Sequence, residues 1–149
     1  MNNIITILTA VIMLDIFLSI HRAYRRYYLY KEAVTMAKIK NKKLLVIGDP
    51  NSGFFNKNIY KCYGCGDICL DINGCNDCSK QIKGDLIKKI KKMKSNKYVI
   101  FESCVLEYIN DIDINDINNE LQRVSGGDLF QVRNFPNIMP LHYKFIELG

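Results

Sequence analysis

The sequence predicts an α/β domain built on a parallel sheet and preceded by a membrane-spanning helix. Short apolar runs alternate with segments of helical spacing, and a long apolar run begins close to the first residue. The length of 149 residues allows one domain with an appendage. A hydrophobic content of 48% allows a packed core and excludes a disordered or fibrous chain, and a net charge of +6 does not by itself imply nucleic acid.

The first predicted element is an uncleaved membrane anchor over residues 4–20, an apolar run whose one charged residue is Asp15. At about 1.5 Å per residue, a helix of this length just crosses a hydrocarbon core of roughly 30 Å. A cleavable signal peptide normally begins with basic residues, and none precedes this run. The arginines that follow it predict a single-pass protein with its C-terminal part on the cytosolic side. The alternative is a long buried core helix.

The segment after the anchor, residues 22–31, combines basic residues with four tyrosines. Tyrosine prefers the headgroup region of a membrane and basic residues prefer anionic lipid, so this segment is predicted to lie at the membrane surface. Stacking on single-stranded nucleic acid is the alternative, and the neighbouring span favours the membrane. We therefore divide the chain into an anchor with its juxtamembrane segment, residues 1–31, and an α/β domain, residues 32–149.

The domain is predicted to alternate strands with helices. Strands are expected at residues 43–48, 67–72, 97–101 and 128–133, with a last one at residues 141–148. One helix begins after Gly84 and Asp85, and a second carries apolar residues at helical spacing until Gly126 and Gly127 end it. In a parallel sheet of this kind, ligands bind beyond the carboxyl ends of the strands.

Two phrases in the second half of the domain are similar to those of a known family. Residues 105–109 (VLEYI) and 120–127 (ELQRVSGG) resemble the "vLEHv" and "eL.RvlkpGG" phrases of class I S-adenosylmethionine-dependent methyltransferases. Tyr108 stands where that family usually has His. The resemblance covers about residues 40–135 and implies a Rossmann-like parallel sheet, truncated soon after its fifth strand.

The same resemblance implies where S-adenosylmethionine would bind. Gly48, Asp49 and Gly53 fall in the loop after the first strand, where the family has its glycine-rich cofactor loop. Asp71 falls where an acidic residue binds the ribose hydroxyls, and Asp85 falls where the family contacts the adenine.

The cofactor loop departs from the family pattern at Val46, where an acidic residue is usual, and at Pro50, where a second Gly is usual. The first predicted function is a membrane-anchored methyltransferase-like protein with an unidentified methyl acceptor. The alternative is a catalytically inactive scaffold of the same fold, for example a virion component that binds other virion or membrane proteins. The over-use of Ile, Asn and Lys is typical of AT-rich genomes, including those of large DNA viruses.

Six cysteines offer a second chemistry. The pairs Cys62/Cys65 and Cys75/Cys78 have the spacing of zinc ligands, so these four thiolates form a candidate tetrahedral zinc site. Three interpretations stay open: buried thiols that pack as small apolar side chains, a zinc-ribbon interaction module, and disulfides, which the predicted cytosolic side disfavours. Cys104 is expected to be a core residue.

Overall fold

The computed structural model describes residues 2–52, 61–106, 109 and 111–132. Within them the chain forms an α/β structure with a five-stranded parallel sheet and a long N-terminal helix. The strands are β1 (Lys43–Ile47), β2 (Ile68–Asp71), β3 (Gln81–Lys83), β4 (Tyr98–Ser103) and β5 (Leu129–Val132), and the helices are α1 (Asn2–Ile39), α2 (Leu86–Ile90) and α3 (Asp111–Ser125). The strand predicted at residues 141–148 lies outside the described residues.

The sheet has the order β3-β2-β1-β4-β5, so strands are added on both sides of β1. Leu45 in β1 pairs with Ile68 in β2 on one side and with Ile100 in β4 on the other. The carboxyl ends of all five strands form one edge, called the carboxyl edge below, and the opposite edge is called the amino edge. Because the strand order reverses between β1 and β4, a crevice for a ligand is expected at the carboxyl edge there.

Both faces of the sheet are covered. Along β1, Leu44 and Val46 pack in the same cluster as residues of α1, whereas Leu45 and Ile47 pack with residues of α2 and α3. This alternation follows from the period of two in a strand. All four side chains are buried, which explains why the strand reads as a continuous apolar run rather than an alternating one.

Helix α1 extends through both the predicted anchor and the predicted domain. Apolar side chains in its first part, such as Ile4, Leu8 and Phe17, are exposed, and by length and composition the helix could cross a membrane. In its last part Ala33 and Ala37 are buried against the sheet. The same helix therefore continues past the boundary predicted at residue 31.

The direction of α1 on the sheet is antiparallel to the strands. The Arg26 Nη2 group donates a hydrogen bond of 3.0 Å to the Sγ atom of Cys104, which follows the carboxyl end of β4. One helical turn later, the centroid of the Tyr30 ring lies 5.3 Å from the centroid of the Phe101 ring in β4. Residues further along α1 approach the amino edge, so the N-terminal part of the helix leaves the domain at the carboxyl edge.

A buried carboxylate joins the end of α1 to the start of β5 at the amino edge. Asp128 accepts hydrogen bonds from the ammonium groups of Lys40 and Lys42, the latter at 2.8 Å. Lys42 also donates to the Ser125 carbonyl at 3.0 Å. Burial by itself would raise the pKa of Asp128, but the hydrogen bonds from both lysines outweigh it and hold that pKa below its usual value.

We expect Asp128→Asn to lower the free energy of unfolding by about 1–2 kcal/mol at neutral pH, because charged hydrogen bonds are lost. A carboxyl with a lowered folded-state pKa stabilises the fold above its unfolded pKa, and this contribution is lost as the pH falls through the folded-state pKa. Urea unfolding at several pH values should therefore show wild type and variant converging below about pH 4. A constant difference down to acid pH would contradict this assignment.

Three residues of the ELQRVSGG phrase make structural contacts at the end of α3. Gly126 has φ +65°, and a Cβ atom there would overlap the side chain of Asn96. Arg123 donates a hydrogen bond of 2.9 Å to the Met93 carbonyl and forms an ion pair of 2.7 Å with Glu120. This part of the phrase therefore packs α3 against the segment after α2.

Candidate functional site

Gly48 follows β1 at the carboxyl edge, where the loops after β1 and β4 touch. It has φ +99°, and its amide donates a hydrogen bond of 3.0 Å to the Leu70 carbonyl. A Cβ atom at this position would lie 2.9 Å from Val105 Cγ2 and 3.2 Å from the Ser103 carbonyl oxygen. The packing and conformation of the chain therefore already require glycine here.

Asp49 is buried, and its carboxylate fastens the loop at residues 72–80 to the end of β1. It accepts hydrogen bonds from the Asn51 amide at 2.9 Å and from the Asn76 amide at 3.2 Å. The Asn76 side chain adds a third at 2.7 Å. Three donors within the chain thus already bind this carboxylate, and a contact with a cofactor stays a prediction.

Asp71 is the last residue of β2, and its half-buried carboxylate lies beside the loop after β1. One oxygen accepts a hydrogen bond from the Asp49 amide at 3.2 Å, and the other accepts one from the Asn73 amide at 2.8 Å. A carboxylate has about four acceptor positions, so both oxygens can still accept hydroxyl groups. Gly48, Asp49 and Asp71, which the resemblance assigns to one cofactor site, come together at this point.

Asp85 lies close to this group, but its carboxylate binds the backbone of α2. It is the N-cap of α2, and its Oδ1 atom accepts a hydrogen bond of 2.9 Å from the Lys88 amide. The preceding residue, Gly84, donates from its amide to the Asp71 carbonyl at 3.1 Å. The predicted loop residue Gly53 lies outside the described residues, as do Glu107 and Tyr108.

Two further polar side chains lie at the carboxyl edge. Glu102 directly follows the strand predicted at residues 97–101, where ligands are expected, whereas Tyr63 had no role in the sequence prediction. Glu102 is fully buried near the end of β4, where it accepts hydrogen bonds from the Val105 amide at 2.6 Å and the Leu106 amide at 3.3 Å. The hydroxyl group of Tyr63 donates to the Asp49 carbonyl at 3.4 Å, and burial raises the pKa of this tyrosine to about 12. For Glu102 the sequence does carry a signal, because a carboxylate within the apolar run YVIFES is unusual. No comparable signal marks Tyr63 as a residue of the site.

The cysteines form two disulfides, Cys65–Cys78 and Cys69–Cys75. The sulfur atoms of Cys69, Cys75 and Cys78 all lie within 4.8 Å of one another, so this group could hold a metal ion in place of the disulfides. Cys62, which was predicted as a zinc ligand, is a buried cysteine outside both disulfides and outside this group. Cys69 was not predicted because it lies inside strand β2.

Comparison with known proteins gives no relative for this arrangement. No protein-family model, curated protein or solved structure matches the chain.

Proposed function

We propose that the chain is a membrane-anchored protein whose α/β domain binds S-adenosylmethionine at the carboxyl edge and transfers its methyl group to an acceptor. The observation that carries the proposal is the half-buried carboxylate of Asp71 at the end of β2, beside the loop after β1. A carboxylate there can accept hydrogen bonds from both ribose hydroxyls and so orient the cofactor.

The topology supports this proposal as well. An all-parallel sheet with the order β3-β2-β1-β4-β5 brings the ends of β1, β2 and β4 together where the strand order reverses. The sulfonium of S-adenosylmethionine is already a reactive methyl donor. The protein therefore has to supply alignment rather than a covalent intermediate, and the site needs no nucleophile of its own.

Isothermal titration of the full chain in detergent micelles with S-adenosylmethionine tests the proposal. We expect saturable binding at one site per chain, competition by S-adenosylhomocysteine, and weaker binding of ATP, which shares the adenosine but lacks the methionine part. If S-adenosylmethionine releases no binding heat in this titration, the cofactor proposal is wrong.

A scaffold that binds no cofactor is the second candidate, and specific contacts favour it. The side chain of Val46 is fully buried, so the position where the family has an acidic residue contributes nothing to the carboxyl edge. The Asp49 carboxylate is bound within the chain, and Val105 packs against Gly48. A chain that binds no cofactor but assembles with other membrane or virion proteins would fit these contacts.

The proposed location is a membrane, with the domain on the cytosolic side. Helix α1 provides the span, and the basic residues after residue 20 favour this topology. The two disulfides favour an oxidising environment instead. The basic flank and the disulfides are compatible if the cytosolic compartment contains a separate thiol-oxidation system, as during virus assembly.

We also propose that the reduced domain binds one zinc ion through Cys65, Cys69, Cys75 and Cys78. Tetrahedral zinc with Zn–S bonds of about 2.3 Å needs sulfur atoms about 3.8 Å apart. Three of these sulfur atoms already lie within 4.8 Å, and Cys65 is bonded to one of them. Each disulfide takes up two electrons and two protons from a dithiol reductant, and the four thiols release four protons as zinc binds.

Metal analysis of reduced and oxidised protein checks the zinc proposal. We expect about one zinc per reduced chain and none in the oxidised chain, because a four-thiolate site is closed and tight. Cys69→Ser should lower the zinc content, whereas the matched variant Cys62→Ser should not. The reverse result would favour the ligand set predicted from the spacing, and a folded, reduced, metal-free chain would exclude zinc.

A further inference from the structure

We infer that the carboxyl edge of the sheet lies against the headgroup layer of the membrane that α1 enters, and that the basic segment of α1 beside this edge binds anionic lipid. The inferred orientation rests on the proposed membrane anchor alone, whereas the acceptor named at the end rests on the proposed methyl transfer as well. It follows from the direction of α1, from the residues between the anchor and the domain, and from the packing that fixes the helix to the sheet.

Only a short stretch of α1 separates the apolar run from the sheet. Arg26 is level with Cys104, just beyond the end of β4 at the carboxyl edge. The apolar run ends at Ile20, six residues earlier in the same helix, which corresponds to about 9 Å of helix. The headgroup region on each side of a bilayer is roughly 5–8 Å thick. The carboxyl edge therefore begins close to the outer boundary of the headgroup layer.

The surface of α1 between the apolar run and the sheet carries tyrosines and arginines. Tyr24 and Tyr28 expose 66% and 54% of their surface, so they are free to enter the headgroup layer. Arg22 and Arg25 lie on the same stretch, within about 8 Å of Ile20 along the helix. These cations complement anionic headgroups rather than neutral ones.

The connection between the apolar run and the sheet is a continuous helix that packs on the sheet. Tyr30 packs against the rings of Phe101 and Tyr63, and Ala33 is fully buried against the sheet. Helix α1 continues from Asn2 to Ile39 without an interruption, so no flexible linker lies between the span and these contacts. The orientation of the span in the membrane therefore fixes the orientation of the sheet relative to the membrane.

This orientation places the candidate site at the membrane surface. Gly48, Asp49 and Asp71 all lie at the carboxyl edge, so a second substrate would meet the site at the membrane surface. A lipid headgroup is the acceptor that this arrangement fits, because it is present there at high local concentration.

The chain contains no tryptophan, so the fluorescence of a single introduced tryptophan reports the environment of that position alone. Ile72→Trp marks the carboxyl edge and Gln122→Trp marks the amino edge; both positions are exposed. The full chain is placed in vesicles of phosphatidylcholine and phosphatidylserine that carry a nitroxide quencher on the headgroup. We expect Ile72→Trp to lose most of its fluorescence and Gln122→Trp to lose little.

A flexible Gly-Ser insertion after Arg22 serves as the control, because it should remove the difference between the two tryptophans. Equal quenching without the insertion, or stronger quenching of Gln122→Trp, would overturn the inferred orientation. A chain that does not float with the vesicles would instead overturn the proposed anchor. Neither outcome bears on the titration with S-adenosylmethionine, which is done in micelles.

Discussion

A chain that begins at His21 is expected to stay folded, whereas a chain that begins at Lys40 is expected to unfold. The last part of α1 covers a face of the sheet on which Val46, Val99 and Phe101 are fully buried. Each fully buried side chain of this size contributes roughly 1.5–3 kcal/mol, and domains are stable by only about 5–15 kcal/mol. Uncovering this face therefore removes much of the stability of the domain.

Thermal unfolding followed by circular dichroism measures the difference between the two truncated chains. A third chain that begins at Glu32, close to the boundary predicted from the sequence, keeps Ala33 and Ala37 but lacks Tyr30 and Arg26. We expect it to fold with a lower midpoint, because the contacts of Tyr30 with Phe101 and of Arg26 with Cys104 are lost. Cooperative unfolding of the chain that begins at Lys40 would show that α1 is dispensable for the fold.

Most of the sheet could be predicted from apolar runs that end in turn residues. The predictions for β1, β2, β4 and β5 are confirmed within one or two residues at each end. Strand β3 was not predicted, because it has three residues and only Ile82 is apolar, which is too short for a period of two to be visible. The continuity of α1 had a signal in the sequence, since neither Gly nor Pro occurs between Asn2 and Ile39.

The site could be predicted only in part, because sequence patterns report strand ends but not long-range partners. The run Ile68–Leu70 followed by Asn73 and Gly74 indicated that Asp71 ends a strand. The hydrogen bonds that join Asp49 to Asn76 cross 27 residues and have no local signal. The disulfide pairing also had no local signal, since six cysteines allow fifteen fully paired connectivities and their spacing does not choose among them.

Asp71→Ala is expected to weaken binding of S-adenosylmethionine by at least tenfold. Each hydrogen bond to a charged group is worth about 1.5–3 kcal/mol, and 1.4 kcal/mol corresponds to a tenfold change in affinity. Asp71 also accepts hydrogen bonds from the Asp49 and Asn73 amides, so the substitution will lower stability as well. Asp71→Asn, which keeps the shape of the side chain, provides a second variant with a smaller effect on the fold.

Asp67→Ala is the matched control, because it separates a loss of binding from a loss of stability. Asp67 precedes β2 at the amino edge, and its carboxylate accepts a hydrogen bond of 2.8 Å from the Leu44 amide. It therefore supports the backbone as Asp71 does, but far from the proposed cofactor. Isothermal titration should show near wild-type affinity for Asp67→Ala and a clear loss for both Asp71 variants. Equal affinities for all four proteins would mean that Asp71 supports only the loop after β1 and that the ribose binds elsewhere.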